Sequence, residues 1–327
     1  MHTVSLGGRS RLGADAPADR PRQTDRSVLL PATRLLLMVF GALTALAFLS
    51  LFVMAAHTDR YFAWTIAPPA TAAFLGGAYA AGCVGVALGL RSRRWPGIRV
   101  PYVGILAFTV ITLIATLRQL DRFHFDSPSA LARFAAWLWL GVYVLIPIAM
   151  LAMLLLQERR TEAGDHERAP LPVQLLTAVQ SVVLLAVGAI LFAEPASAPL
   201  LWPWPLTPLT ARMVAAWLIG FGIAIALGVR QTDRAQPGIA AAAYAVLATL
   251  ELVVVLRYPG VVRWSSPAAW VYLVLATTIL GVSLYTILRA RPDTRAGANL
   301  GVVPPTLLGA ATTSEGDAQA HDEHTEH

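Results

Sequence analysis

The chain has 327 residues, 56% apolar and only 13% charged, about half the charge density of a soluble domain, which excludes an ordinary water-soluble globule. Its net charge of +6 rests on 25 arginines and no lysine; in a chain this rich in Ala, Leu, Gly and Pro that is a GC-rich codon bias, and nucleic acid is not expected as a partner. The single cysteine, Cys83, rules out an intrachain disulfide, a cysteine-based metal site and covalent haem attachment, and no cofactor is expected.

In chain order, residues 1–31 are rich in Arg, Asp, Pro and Gly, show no helical periodicity, and are expected to form a disordered tail. Uncharged apolar runs then recur at 35–56, 70–90, 100–117, 134–156, 173–193, 213–229, 239–256 (with one Glu inside) and 267–288. Each matches the roughly 20 residues that cross a hydrocarbon core of about 30 Å as an α-helix. The alternating segments of about ten residues that a barrel requires are missing. Eight transmembrane helices follow, with the lipid bilayer as the first expected partner. The first run exceeds the roughly 7–15 residues of a cleaved signal core and is expected to stay as a span. Orientation follows from arginine placement: the N-terminal tail, the even-numbered loops and the C-terminal tail hold eighteen, the odd-numbered loops seven. Both termini are therefore expected on the cytoplasmic side of a bacterial inner membrane.

The chain also repeats itself. "LGLRSRRWPG" (88–97) closes the second run and "LGVRQTDRAQPG" (227–238) the sixth, while "ATLRQLDRFHFDSPSA" (115–130) matches "VVLRYPGVVRWSSPAA" (254–269) at an offset of 139. At an offset of 140, Trp64-x-Ile66-x-Pro68 meets Trp204-x-Leu206-x-Pro208. The expected fold is thus an all-α membrane protein of two four-helix repeats, 32–157 and 173–290, with a cytoplasmic linker at 158–172 and a disordered tail at 291–327. Each repeat has an even number of spans, so both insert the same way up, related by a pseudo-two-fold along the membrane normal. Gly85-xxx-Gly89, matched by Ala224-xxx-Gly228, reads as close helix packing.

Candidate chemistry falls in four places. At the outer ends of spans two and six, Pro68 and Pro208 are expected at the first helical position, where a missing N–H has no intrahelical partner to lose, with Thr207 capping the second copy. Tyr61, Phe62, Trp64, Trp202 and Trp204 are expected at headgroup depth. The recurrence of Trp four residues before Pro marks Trp64, Pro68, Trp204 and Pro208 as a candidate outer mouth. At the outer ends of spans three and seven, Arg118 and Arg257 run against the arginine bias. Each suits either a cap on its own helix dipole or a site for an anion or lipid headgroup; Asp121, Arg122 and His124 follow the first. Ser127-Pro128 and Ser266-Pro267 read as the starts of spans four and eight. Mid-membrane, Glu251 is the only acid well inside a run, and it is expected to be uncharged, paired or facing a wet cavity. It shares a helix face with Tyr244 and Tyr258, and Thr112 is its counterpart in the first half. The remaining histidines (His57 beside His124, and His321, His324 and His327 in the C-terminal tail) are weak metal candidates whose spacing demands no metal. Phosphate-binding glycine loops, His-Glu-x-x-His and Gly-x-Ser-x-Gly are absent from the sequence.

The strings "RYFAWTIAPPATAAFLGGAYAAG", "LDRFHFDSPSALARFAAWLW" and "LWPWPLTPLTARMVAAWLIG" resemble those of a set of bacterial multi-pass membrane proteins that carry no assigned activity. The resemblance spans nearly the whole membrane region and implies one shared architecture, but lends no catalytic or binding residues. The reading favoured by the residues is a non-enzymatic transporter or channel-like protein for a small or lipid-like molecule, with a site between the repeats and Glu251 as its polar handle. The alternatives are a membrane enzyme or redox subunit using His57, Arg118, Asp121 and His124, and an assembly or scaffold subunit without a small ligand.

Overall fold

The computed structural model describes residues 28–159, 169–230 and 238–289. The expected linker core, the C-terminal tail with His321, His324 and His327, and most of the N-terminal tail lie outside the described residues. Among the described residues, eight helices are long and apolar enough to cross a membrane. They are α1 (Pro31–Phe48, prolonged by a π turn at Leu49–Val53), α2 (Pro69–Ser92), α3 (Pro96–Leu117), α4 (Ala130–Glu158), α5 (Leu171–Ala193), α6 (Pro208–Arg230), α7 (Gly238–Arg257) and α8 (Pro267–Arg289). Single-turn helices at Thr58–Tyr61 and Ala198–Leu201 precede α2 and α6. No β-strand is found among the described residues, only an isolated bridge between Val28 and Arg94.

Two helix starts differ from expectation in the first half. Pro68 is the residue before α2, at φ −72° and ψ 166°, and Pro69 takes the first helical position. The cause is local: a residue followed by proline is sterically barred from the helical region, so the first proline of a pair cannot open the helix. Likewise α4 starts at Ala130, capped by Ser129, and not at Ser127-Pro128. The Ser129 hydroxyl is drawn there because it also reaches the carbonyl of Arg60 (3.3 Å). In the second half Pro208 and Pro267 do open α6 and α8. Thr207 caps α6, its hydroxyl accepting from Thr210 N (3.2 Å) while the Thr210 hydroxyl accepts from Thr207 N (2.8 Å).

Residues 28–30, at the end of the expected tail, are tied down. Leu29 N donates to the Arg93 carbonyl (3.0 Å), and the fully buried Gln157 side chain accepts from Leu30 N (3.2 Å) and donates to the Val28 carbonyl (3.1 Å).

The core lies where the first and last four helices meet. α3 packs along α6 and α2 along α7, while α1, α4, α5 and α8 sit outside them. α2 is the most buried span and α8 the least, which follows from composition: the Gly/Ala-rich α2 has too little apolar bulk to face lipid but lets other backbones approach. A β-carbon on Gly104 would stand 2.7 Å from the Gly220 carbonyl oxygen, and one on Gly220 would stand 2.8 Å from that of Gly104. The small-residue motifs serve the same contacts, with Gly85 against Ala243 of α7 and Ala224 against Gly104 of α3. At Gly104 and Gly220 the seam between the halves is therefore closed by backbone-to-backbone packing, beside a cavity of ≈ 70 Å³ bordered by Gly85, Gly104 and Gly220.

Candidate functional site

The segments after the two single-turn helices fold inward as short hairpins. In the first, Phe62 turns extended (φ −122°, ψ 168°), and Phe62, Trp64 and Ile66 are buried while Thr65 is exposed. Its neck is closed by the Thr58 hydroxyl, which accepts from Ile66 N (2.9 Å). His124 then holds it from the side. Its backbone N donates to the Ala63 carbonyl (2.9 Å), Nδ1 donates to the Phe62 carbonyl (3.0 Å), and Nε2 pairs with the Thr65 hydroxyl (3.0 Å). In the second hairpin Arg263 does the same work: its N donates to the Pro203 carbonyl (2.8 Å) and Nη2 to the Trp202 carbonyl (2.6 Å).

Trp64, Trp202 and Trp204 therefore do not present their rings to the surface. They are 2%, 3% and 0% exposed and face the core, because the hairpins' carbonyls are satisfied by His124 and Arg263 and the chain can turn under the helix ends without stranding backbone groups. Trp64 packs on Phe62, Phe123 and Trp139, with ring centroids 4.8–5.2 Å apart. Trp204 crosses between the halves, its Nε1 donating to the Thr71 hydroxyl of α2 (2.9 Å). Removing the His124 ring deletes two hydrogen bonds, each contributing about 0.5–1.5 kcal/mol net. His124→Ala is accordingly expected to destabilise the protein by about 1–3 kcal/mol in thermal unfolding. An unchanged midpoint would mean that the backbone alone holds the hairpin.

The outer arginines are put to different uses. Arg257 reaches across to α1, where Nη1 donates to the Phe52 carbonyl in the π turn (2.8 Å) and the guanidinium lies over the Phe52 and Tyr258 rings. The carbonyl of Phe192, 140 residues on from Phe52, accepts instead from Nε of Arg212 (3.2 Å), whose Nη1 also donates to Gln119 (2.9 Å). Arg118 is exposed. Asp121 pairs with its neighbour Arg122 (3.1 Å) on the surface, where such pairs contribute little. Both ring nitrogens of His124 are already engaged and His57 is exposed. Among the described residues no three His, Cys, Asp or Glu side chains gather as a metal site.

Inside the membrane region, Glu251 is 5% exposed and lies against Gly77 of α2. Its partner is Tyr272 of α8, whose hydroxyl donates to Oε2 (2.8 Å). Tyr244 instead donates to the Phe221 carbonyl at 3.5 Å. Thr112 is fully buried and its hydroxyl has no partner among the described residues. A second buried polar pair was not expected from sequence: the hydroxyls of Tyr79 and Tyr143 meet at 2.6 Å. The available signal was the isolation of each tyrosine in an otherwise apolar stretch.

Two cavities flank the seam. One of ≈ 420 Å³ lies between α1 and α4, bordered by Thr44, Tyr61, Phe62, Tyr79, Trp139 and Tyr143. The other, ≈ 80 Å³, lies between α5 and α8 and is bordered by Leu184, Leu201, Trp202, Leu218, Glu251 and Tyr272. Thr44 and Leu184, Tyr61 and Leu201, Phe62 and Trp202, and Tyr79 and Leu218 stand 139 or 140 residues apart. A further cavity of ≈ 210 Å³ lies on the seam itself, bordered by Val100 and Pro101 of α3 as well as Gln174, Thr177, Ala224 and Ser283. Ligand sites span roughly 300–1,000 Å³, so the α1–α4 cavity is of ligand size and the one at Glu251 is not. Comparison of the chain with protein-family models, with curated proteins and with solved structures found no match in any of the three.

Proposed function

We propose that this chain is a transporter-class membrane protein, built from a duplicated four-helix unit, that takes up a lipid-like molecule from the bilayer. The site of uptake is the α1–α4 groove, flanking the seam between the halves. The carrying observation is that ≈ 420 Å³ groove, whose rim residues Leu46, Leu131 and Phe134 are 51–62% exposed on the flank that meets hydrocarbon. A hydrogen count supports an oxygen-bearing ligand. Two hydroxyls hold two protons, the Tyr79–Tyr143 bond uses one, and the other is left to donate to a ligand's ester or carbonyl oxygen. Duplication is supported by the shared 139–140 offset of the cavity linings and by the matching grip of His124 and Arg263 on their hairpins. The arginine distribution supports cytoplasmic termini, and the resemblance noted above supports a bacterial inner membrane. Both ring nitrogens of His124 are spent on the hairpin, which favours this assignment over a redox subunit built on that histidine.

The test is the lipid that stays with the full chain through purification in mild detergent, quantified by mass spectrometry. Ala135, on the groove wall, changed to Trp is expected to lower the retained lipid-like species at least tenfold. The Tyr79→Phe/Tyr143→Phe double variant removes one ligand hydrogen bond, a loss of roughly 2- to 10-fold. Equal retention by Ala135→Trp and the parent would remove the groove as a site.

A further inference from the structure

The end of the bundle where α1 starts and α2 ends gathers five arginines. Arg34 lies in the first turn of α1, Arg91, Arg93 and Arg94 lie at and just beyond the end of α2, and Arg159 follows α4. Direct bonds hold these stretches together. The Leu30 carbonyl accepts from Arg34 N (2.9 Å), Leu29 N donates to the Arg93 carbonyl (3.0 Å), and Val28 bridges Arg94. Gln157, two residues before Arg159, bonds Val28 and Leu30. All five arginines are exposed, and none of their guanidinium groups has a partner among the described residues. The acid beside them, Glu158, is already taken by Arg99 Nε (2.6 Å) and Trp95 Nε1 (2.9 Å).

The arginine bias that orients a membrane protein counts charges on one side and asks nothing of their exact positions. Two of these positions run against local preference. A cation in the first turn of a helix, as Arg34 is, opposes the macrodipole. Arg93 holds φ 58°, alone among the described non-glycine residues in having a positive φ, where a helix end ordinarily takes glycine. The matching string at 227–238 has Thr232 and Asp233 in place of Arg93 and Arg94, and Val173 stands 139 residues after Arg34. These cations are thus particular to the first half. Their surroundings choose the anion. Met38 and Leu155 lie one turn along from Arg34 and Arg159 on the same helix faces, and they are 48% and 53% exposed. Phosphate oxygens pair well with several guanidinium groups, and a phosphate that carries acyl chains fits the apolar flank too. We propose that this patch binds the headgroup of an anionic phospholipid, with Arg34, Arg93 and Arg94 on the phosphate and the acyl chains along α1 and α4. It lies at the other end of these helices from the groove rim at Leu46 and Leu131, and does not depend on lipid binding there.

The test is native mass spectrometry of the full chain in mild detergent, titrated with phosphatidylglycerol and, separately, with phosphatidylcholine. The parent is expected to prefer phosphatidylglycerol. Arg34→Gln, Arg93→Gly and Arg94→Gln are each expected to weaken its binding roughly fivefold, the contribution of one cation near an anionic lipid surface. Glycine adopts the backbone of Arg93 freely, so Arg93→Gly loses lipid without losing stability. Arg60→Gln, an exposed arginine at the other end beside the start of α4, leaves the affinity unchanged, as does Ala135→Trp, which fills the groove. Equal affinity for the two lipids, or full affinity in the three patch variants, overturns the proposal. So does an equal loss in Arg60→Gln, which would mean unlocalised charge attraction, or a loss in Ala135→Trp, which would put the phospholipid in the groove. Displacement of the lipid by inorganic phosphate at the same concentration would make this a small-anion site instead.

Discussion

Trp204→Ala is expected to cost about 3–5 kcal/mol, the range for removing a large aromatic side chain from a packed core. Trp204 is fully buried, stacks edge-on to Trp202 and Tyr272 at 5.4 and 5.5 Å, and ties the second hairpin to α2 through Thr71. Two milder variants separate packing from bonding. Trp204→Phe keeps most of the ring but loses the bond to Thr71, a further loss of about 1 kcal/mol. Trp64→Phe deletes an N–H that has no partner among the described residues, so it loses contact area but no hydrogen bond. In thermal unfolding followed by size-exclusion chromatography, the order of damage is therefore Trp204→Ala, then Trp204→Phe, then Trp64→Phe. Equal midpoints for the two Phe variants would show that the bridge to Thr71 adds no stability.

The behaviour of these tryptophans marks how far the sequence is legible. All eight spans are readable because hydropathy over about 20 residues depends on the chain alone, and each expected run overlaps a long helix. The pairing of Trp64 with Trp204 is readable too, as a repeated string. Their burial is not. Aromatic residues beside a helix end look alike whether they face outward or pack into the core, and what decides is the hydrogen-bonding of the intervening carbonyls. Those partners, His124 and Arg263, come from loops about 60 residues away; the 139-residue offset sets one against the other, but their different chemistry hides the shared grip until both contacts are visible. Glu251 is singled out by its isolation in an apolar run, but its partner Tyr272 lies on the next helix, beyond the reach of any same-face periodicity. The groove between α1 and α4 is invisible for a similar reason: it is a gap between two outer helices, and no residue type announces a gap.

Gly220→Val tests whether the closed seam has a bearing on the groove. Its β-carbon would meet the Gly104 carbonyl oxygen at 2.8 Å and Phe108 Cβ at 2.9 Å. Neither can yield cheaply, since one is backbone and the Phe108 ring is stacked on Trp217 at 3.7 Å. Overpacking of this kind costs about 1–3 kcal/mol, and the β-branched chain forces α3 away from α6 in addition. Gly141→Ala is the control: it sits in α4 with open space around the new β-carbon, and removing a helical glycine there is expected to stabilise by roughly 0.5–1 kcal/mol. The consequence reaches the groove because Phe108 also packs edge-on against Tyr143 (6.0 Å) and Tyr79 (6.2 Å). Displacing Phe108 shifts the hydroxyl pair that floors the groove, so Gly220→Val is expected to lower lipid retention along with stability, while Gly141→Ala leaves retention unchanged. If a ligand instead passed along the seam, widening it would ease passage, and Gly220→Val would raise uptake into proteoliposomes. A fall in both retention and uptake assigns the seam to support of the groove, with the ligand held on the flank of the first four helices.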